Sequence, residues 1–442
     1  MARLFGTDGV RGLANREITP EFALQLGQAA ARVLAEEAEG RPKAIIGRDT
    51  RQSSAMLSHA VGAGLASAGV DVEHVREIPT PGIAYLTAAR NYDLGVMISA
   101  SHNPMPDNGI KFINANGFKL DDAIEDRIEA TLSSDWERPV GAEVGMIDES
   151  AAVSDRVYMD HLVAAGADLT GLSIVLDCAN GAASRVAPKV FQELGADVVV
   201  INASPDGRNI NRNAGSTHPY RLQQMVKAAD ADMGFAFDGD ADRCIAVDTN
   251  GKLVNGDEIM GLLAQSMKDR GELAGNTLVI TVMSNLGLRL ALDEKGIDYV
   301  ITGVGDRYVL ENMLANGFVL GGEQSGHVIS LNHATTGDGT LTAVLVASEV
   351  ARRQEALHNA VSWVHELPQR LINVPNVDKT RTDEIASEVA AAEAELGQTG
   401  RVLLRASGTE PLVRVMVEAQ TQEQTDRVAE NLAAVVASRL AL

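Results

Sequence analysis

The chain has 442 residues, too many for one ordinary core, and at about 150 residues per domain this points to roughly three domains. Hydrophobic residues make up 45% of it but aromatics only 4%, which excludes a disordered chain and suits α/β cores of Ala, Val, Leu and Ile. Sixty Asp and Glu against 38 Lys and Arg give a net charge of −22, which argues against nucleic acid or an anionic membrane as a partner.

A small anionic ligand stays allowed, because charge beyond about 8 Å is screened and local arginines decide. Met1 to Asp8 holds no apolar signal-like core, and no apolar run approaches the ~20 residues of a spanning helix. The expected location is therefore the cytoplasm. Cys178 and Cys244 each stand beside an apolar strand-like run and read as reduced structural thiols.

In chain order, the first strand–helix unit runs from a strand at Lys43–Gly47 through a helix ending near Ala68 to Gly69, Asp71 and Val72. A glycine after the helix suits a left-handed cap, and the next residues restart an extended segment. Leu94–Ile98 is an apolar strand that ends in Ser99-Ala100-Ser101-His102-Asn103-Pro104. Pro104 disfavours helix at Asn103, so this is either an ordinary turn or a tight loop presenting a hydroxyl at a strand end. A Ser-His-Asp hydrolase fits less well, since no Gly-x-Ser-x-Gly elbow surrounds Ser101.

The unit recurs from Ser173–Asp177 to Gly195, Asp197 and Val198. Beyond it, Asp238-Gly239-Asp240-Ala241-Asp242-Arg243 lies between the apolar segments Met233–Phe237 and Cys244–Val247. Carboxylates at alternate positions of an extended loop project to one side and can surround a hard divalent cation. Three of them between buried strands would repel one another without a counter-ion, which favours the metal over a solvated acidic turn. An EF-hand fails, because its sixth position would be Arg243 and its twelfth Thr249. Three aspartates leave positions open on Mg2+, which phosphate or water commonly fills, and Arg243 adds a fork-shaped donor for phosphoryl oxygens.

A third copy runs from Thr277–Val282 to Gly296, Asp298 and Tyr299. The strand Phe318–Leu320 then leads into Gly321-Gly322-Glu323-Gln324-Ser325-Gly326-His327, where Glu323 and Ser325 can bond sugar hydroxyls; a glycine-rich connector is the plainer reading. After His365 the pattern changes to a strand at Gln369–Val374, a helix at Asp383–Leu396, strands at Arg401–Leu404 and Leu412–Glu418, and a closing helix at Glu423–Leu440. Arg405, Ser407, Gly408, Thr409 and Arg414 in and beside the loop between those last strands form either an anion nest or a hairpin with incidental polar residues. The expected fold class is α/β: three similar domains with mixed sheets in series (1–153, 154–254, 255–366) and a smaller α+β domain (367–442).

Together, Ala100–Pro104, Asp238–Arg243, Gly322–His327 and Arg405–Pro411 resemble the α-D-phosphohexomutase family, motif for motif and in order. The resemblance extends to Phe5-Gly6-Thr7-Asp8-Gly9-Val10-Arg11-Gly12 and to Asp107–Phe112. Within the family, that opening and Gln324 are similar to the branch acting on glucosamine phosphates, whereas relatives acting on mannose or glucose phosphates typically carry Met at the Gln324 position.

The resemblance implies four domains around a central cleft, each giving it one loop, and interconversion of glucosamine 6-phosphate and glucosamine 1-phosphate, which feeds UDP-N-acetylglucosamine synthesis. It implies that Ser101 is a phosphoserine that completes the Mg2+ sphere of Asp238, Asp240 and Asp242, with a sugar 1,6-bisphosphate as intermediate and activator. Arg243, Lys111, His102 and His327 are the implied catalytic side chains, the last three as acid or base. Arg11, Arg307, Glu323, Gln324 and Ser325 would contact substrate, and Arg405, Ser407, Gly408, Thr409 and Arg414 its non-reacting phosphate. The partner is a small phosphosugar, and a homodimer is compatible with this reading. The rival readings are a phosphomannomutase or phosphoglucomutase of the same family, a non-catalytic sugar-phosphate sensor and a Mg2+-dependent phosphatase.

Overall fold

The computed structural model describes residues 3–6, 8–34, 40–148, 154–406 and 412–442. They form two compact units, Met1–Val282 with Ile297–Val361, and Met283–Gly296 with Ser362–Leu442.

The first unit holds three sheets that repeat one pattern. In the first sheet, Asp71–Glu77, Lys43–Arg48 and Leu94–Ile98 lie parallel in that spatial order, and Asp107–Asn114 adds antiparallel to Leu94–Ile98. Val10–Leu13 and Ile147–Asp148 extend its two edges. In the second, Asp197–Ile201, Ser173–Asp177 and Met233–Phe237 are parallel, followed by antiparallel Cys244–Asp248 and Leu253–Val254. The third runs Asp298–Thr302, Thr277–Thr281, Leu320–Gly322 in parallel and then Val328–Ser330 antiparallel. The threefold echo in the sequence is thus a recurring four-strand motif. Leu94–Ile98, Met233–Phe237 and Thr277–Thr281 are buried at every residue, which explains why they read as unbroken apolar runs rather than as alternating strands.

Each recurring Gly-x-Asp marks a helix end with positive φ: +92° at Gly69, +92° at Gly195 and +61° at Gly296. The expected strand at Phe318–Leu320 is displaced: pairing starts at Leu320 and continues through Gly321 and Gly322. Those glycines are the strand itself, because a Cβ on Gly321 would lie 2.8 Å from both the Met313 sulfur and the Val279 carbonyl. The strand Asp107–Asn114 has no counterpart in the sequence reading; its Asp-Asn-Gly opening carries turn residues, yet Gly109 pairs with Arg11 in the ladder.

The second unit is a three-stranded antiparallel sheet, Gln369–Pro375, Leu412–Glu418 and Arg401–Ala406, with helices Ala386–Leu396 and Gln422–Arg439. Val374, Val413, Val415, Val417, Val428 and Leu432 contribute to its core. The expected helix at Asp383–Leu396 begins as a 3-10 turn over Thr382–Ile385. Helix Leu286–Lys295 belongs to this unit, where its first amide donates to the buried Glu418 carboxylate at 2.9 Å.

Candidate active site

In all three sheets of the first unit, the chain between the third strand of the motif and its antiparallel neighbour carries one of the sequence-predicted motifs. These connections hold Ser101, Asp238–Arg243 and Glu323–His327 respectively.

Ser101 follows the buried Leu94–Ile98 strand and has φ +51°, the left-handed region. Its side chain is nearly enclosed, at 2% exposure, and Oγ donates to Asp238 Oδ2 at 2.5 Å. The serine and metal loops approach backbone to backbone, because a Cβ on Gly239 would stand only 2.5 Å from the Ser101 carbonyl. His102 Nδ1 lies 3.3 Å from the same Oγ. Burial, then the charges of Arg243 and Arg11, lower the His102 pKa, which keeps its ring neutral and able to take a proton.

Asp238, Asp240 and Asp242 are buried, and each offers one carboxylate oxygen within 4.8 Å of the others. The loop turns through Ala241 at φ +56°, and the Arg243 amide folds back to Asp238 Oδ1 at 3.2 Å. Burial and the charges of Asp242 and Asp240 push the Asp238 carboxyl well above its ordinary range. Asp242 is also buried, but its hydrogen bond to His327 and the charges of His327, Lys111 and Arg243 hold it below that range. Asp240 Oδ1 and Asp242 Oδ1 are enclosed with no hydrogen-bond partner. Oxygen donors left bare beside a carboxylate that resists ionisation are what a hard divalent cation would satisfy, so this residue set fits one.

Lys111, on the Asp107–Asn114 strand, is 3% exposed and stands 2.8 Å from Asp240 Oδ2, 2.8 Å from Asp8 Oδ2 and 4.0 Å from Asp242 Oδ2. Burial opposes its charge, but Asp240 and Asp8 raise its pKa above the usual lysine value, so it is a fixed cation. Thr80 donates to Asp240 Oδ2 at 2.6 Å. Asp8 also binds Lys119 at 2.6 Å, Lys119 ion-pairs with Asp306, and Asp306 Oδ2 is 3.5 Å from His327 Nε2. His327 Nδ1 closes the circuit 3.7 Å from Asp242 Oδ2, while the Gly337 amide donates to Nε2 at 3.2 Å and thereby favours the ring proton on Nδ1.

These groups border a cavity of about 410 Å³ lined by Asp8, Arg11, Ser101, Asp242, Arg243, Asp306, Glu323 and His327 among others. Arg11 and Arg243 each keep Nε enclosed without a hydrogen-bond partner, and Glu323 Oε1 accepts from the Gly305 amide at 3.1 Å. Arg307 is not in this lining: its guanidinium is taken by Asp122 and by the Leu120 carbonyl at 2.6 Å. Gln324 and Ser325 are also outside the lining, and Ser325 is exposed. In the second unit, Arg405 and Arg414 face each other across paired strands, and Ser407, Gly408 and Thr409 lie outside the described residues. The sequence reading missed Asp8, Thr80, Lys119 and Asp306 as site residues. Only Asp8 carried a signal, through the Phe5–Gly12 motif.

Four family models cover the chain: phosphoglucomutase/phosphomannomutase alpha/beta/alpha domain I over residues 2–138, domain II over 156–251, domain III over 255–368, and the C-terminal domain over 371–435. The chain belongs to the phosphoglucomutase/phosphomannomutase family. Among relatives of this family, the phosphoglucosamine mutase of Bifidobacterium animalis subsp. lactis (strain AD011) is 58% identical, with 100% of both chains covered. A phosphoglucomutase/phosphomannomutase family protein of Burkholderia thailandensis superposes with a TM-score of 0.82 at 24% identity, covering 100% of this chain and 98% of that one. The N-acetylphosphoglucosamine mutase of Aspergillus fumigatus, solved in complex with GlcNAc-6P and magnesium, gives 0.69 at 18% identity, covering 98% and 95%. At those identities the two solved structures speak for the phosphohexomutase fold alone.

Proposed function

We propose that the chain is a phosphoglucosamine mutase, interconverting glucosamine 6-phosphate and glucosamine 1-phosphate through a phosphorylated Ser101. The observation that carries this reading is the Ser101 hydroxyl 2.5 Å from Asp238, inside a buried three-aspartate cluster and beside a cavity lined by Arg11 and Arg243. A binding protein needs neither the hydroxyl nor the cluster. The full-length relatives named phosphoglucosamine mutase set the choice of sugar.

In the forward direction, the bond between Ser101 Oγ and phosphorus breaks as the sugar 1-hydroxyl oxygen takes the phosphoryl group, giving a 1,6-bisphosphate. After the sugar turns, the phosphoryl group on O6 passes to Ser101 Oγ, leaving glucosamine 1-phosphate. The sugar hydroxyl proton released in the first transfer ends on the departing Ser101 Oγ, and the Ser101 hydroxyl proton released in the second ends on O6. Neutral His102, within 3.3 Å of Oγ, fits the role of acceptor, while Lys111 is held too firmly charged to serve as a base. Lys111, Arg11 and Arg243 offset charge on the moving phosphoryl group, the main demand of such transfers. Glu323 would bond sugar hydroxyls.

Asp238, Asp240 and Asp242 would hold Mg2+, which when bound supplies Lewis-acid charge neutralisation at the phosphoryl oxygens. Among the described residues no helix is long and apolar enough to cross a membrane. Intact-mass measurement of the purified protein, with a panel of sugar 6-phosphates, tests the reading. The expected result is one phosphate on Ser101 and fastest turnover of glucosamine 6-phosphate. Preference for mannose or glucose phosphate moves the chain to another branch of the family, and release of free phosphate without isomerisation makes it a phosphatase.

A further inference from the structure

A loop that only had to turn at position 101 would do so most readily with glycine or asparagine, yet serine holds the left-handed conformation there. Both of its peptide groups are tied down. The Ser101 carbonyl accepts from Arg51 Nη2 at 3.0 Å and from Asn211 Nδ2 at 2.8 Å, and the same two side chains reach the Asn103 carbonyl at 2.8 and 3.2 Å. The Ser101 amide donates to Ser99 Oγ at 3.0 Å, and Ser99 Oγ donates to Asp49 Oδ2 at 2.7 Å.

Asp49 also accepts from Ser54 Oγ at 2.6 Å and pairs with Arg51, 3.3 Å from Nε. The Arg51 and Asp49 side chains are both fully enclosed. Asp49, Arg51, Ser101 and Ser99 therefore form a closed ring of bonds within the first sheet's loops, and Asn211, from the second, grips the same carbonyls from another element.

We propose that Arg51 and Asn211 are positioning residues that fix the Ser101 hydroxyl, and the phosphoryl group it carries, in line with the aspartate cluster. Neither touches the Ser101 hydroxyl, so they act only through the serine backbone. The inference rests on the reading of Ser101 as phosphoryl carrier. Transfer of a phosphoryl group depends on placement, and an error near 1 Å costs roughly 100-fold in rate. Both Arg51 bonds come from Nη2, at the far end of a rigid planar guanidinium, a reach and a fixed aim that the shorter, freely rotating lysine stem does not reproduce.

Asn211 itself has φ +57°, so Asn211→Gly keeps the backbone conformation while removing only the amide side chain. Arg51→Lys keeps the charge beside Asp49 and loses those Nη2 bonds. Enzyme phosphorylated on Ser101, checked by intact mass, is mixed with excess glucosamine 6-phosphate and the single-turnover transfer is timed, alongside steady-state KM and thermal midpoint. For Asn211→Gly the expected result is transfer slowed roughly 10- to 100-fold with KM within about twofold and an unchanged midpoint. Arg51→Lys, if it folds, is slowed at least as much. Transfer at the wild-type rate in Asn211→Gly overturns the proposal, and so does a loss that merely follows a lowered midpoint. A wild type that transfers no phosphoryl group sinks the carrier role and the clamp with it, whereas normal transfer in wild type and variants alike sinks the clamp alone.

Discussion

Replacing Lys111 with Met removes an enclosed cation that touches both the aspartate cluster and the N-terminal motif. At 2.8 Å from Asp240 and from Asp8, each pair contributes roughly 6 kcal/mol of attraction at an effective dielectric of about 20. Desolvating the three groups costs several kcal/mol per ion, so the net stabilisation is far below that sum. Taking out only the cation leaves Asp240 and Asp8 without Lys111, a loss of about 3–5 kcal/mol for a buried pair. At roughly 2–4 °C per kcal/mol for a large domain, the thermal midpoint of the metal-free protein should drop by about 6–20 °C.

Mg2+ should return part of that loss, because Asp240 then regains a counter-charge while Asp8 does not. The rise in midpoint on adding Mg2+ is thus expected to be larger in Lys111→Met than in the wild type. Turnover should still fall roughly 10²- to 10³-fold, as for loss of a preorganised electrostatic donor. Lys119→Met is the control: Lys119 pairs with Asp8 and Asp306 but not with the cluster, so it should lower the midpoint and leave the Mg2+ response alone. Differential scanning calorimetry with EDTA and with Mg2+ reads both effects. A metal-free Lys111→Met midpoint within 2 °C or so of wild type refutes the pairing argument. A deficit that is the same with and without Mg2+ refutes the shared-charge argument.

Ser101→Ala should abolish mutase turnover and phosphate incorporation while the Mg2+-dependent rise in midpoint persists; full activity in that variant removes the carrier role. Asp240→Asn should shift the Mg2+ titration of activity to higher concentration and slow phosphoryl transfer together, and an unchanged titration takes these aspartates out of the metal site. Burial, Arg243 and Arg11 lower the pKa of His102, so its neutral, proton-accepting form persists to more acid pH than a free imidazole. The acid limb of kcat/KM assigned to it should therefore fall below the ordinary value of about 6.5, and a limb above that value, lost in His102→Gln, contradicts the stated environment.

The legible part of the site was the part framed by buried strands. Leu94–Ile98 and Met233–Phe237 announce themselves as apolar runs, so polar residues directly after them, Ser101 and Asp238 to Arg243, stand out as loop chemistry at strand ends. Lys111 stands on a strand whose opening, Asp107-Asn108-Gly109, imitates a turn, and no local pattern showed that Met97 lies opposite it. Asp8, Lys119 and Asp306 are ordinary surface types in the sequence and become a buried network only through long-range packing. Arg51 and Asn211 are less legible still, since what they bond is main chain, which sequence pattern does not label.

Arg307 and its neighbour part company in space. Asp122 and the Leu120 carbonyl take the Arg307 guanidinium, while Asp306 faces the cavity. Helix Asp306–Asn316 turns successive residues about 100° apart, so one of the pair meets the cavity and the other the Leu120–Asp122 segment. The same geometry explains the three equivalent connections. A hairpin after the third parallel strand leaves the sheet at one end each time, so three sheets built alike deliver a serine hydroxyl, an acid cluster and a cavity-lining carboxylate from one topological position, and the side chains offered differ only in the few residues that fill the turn.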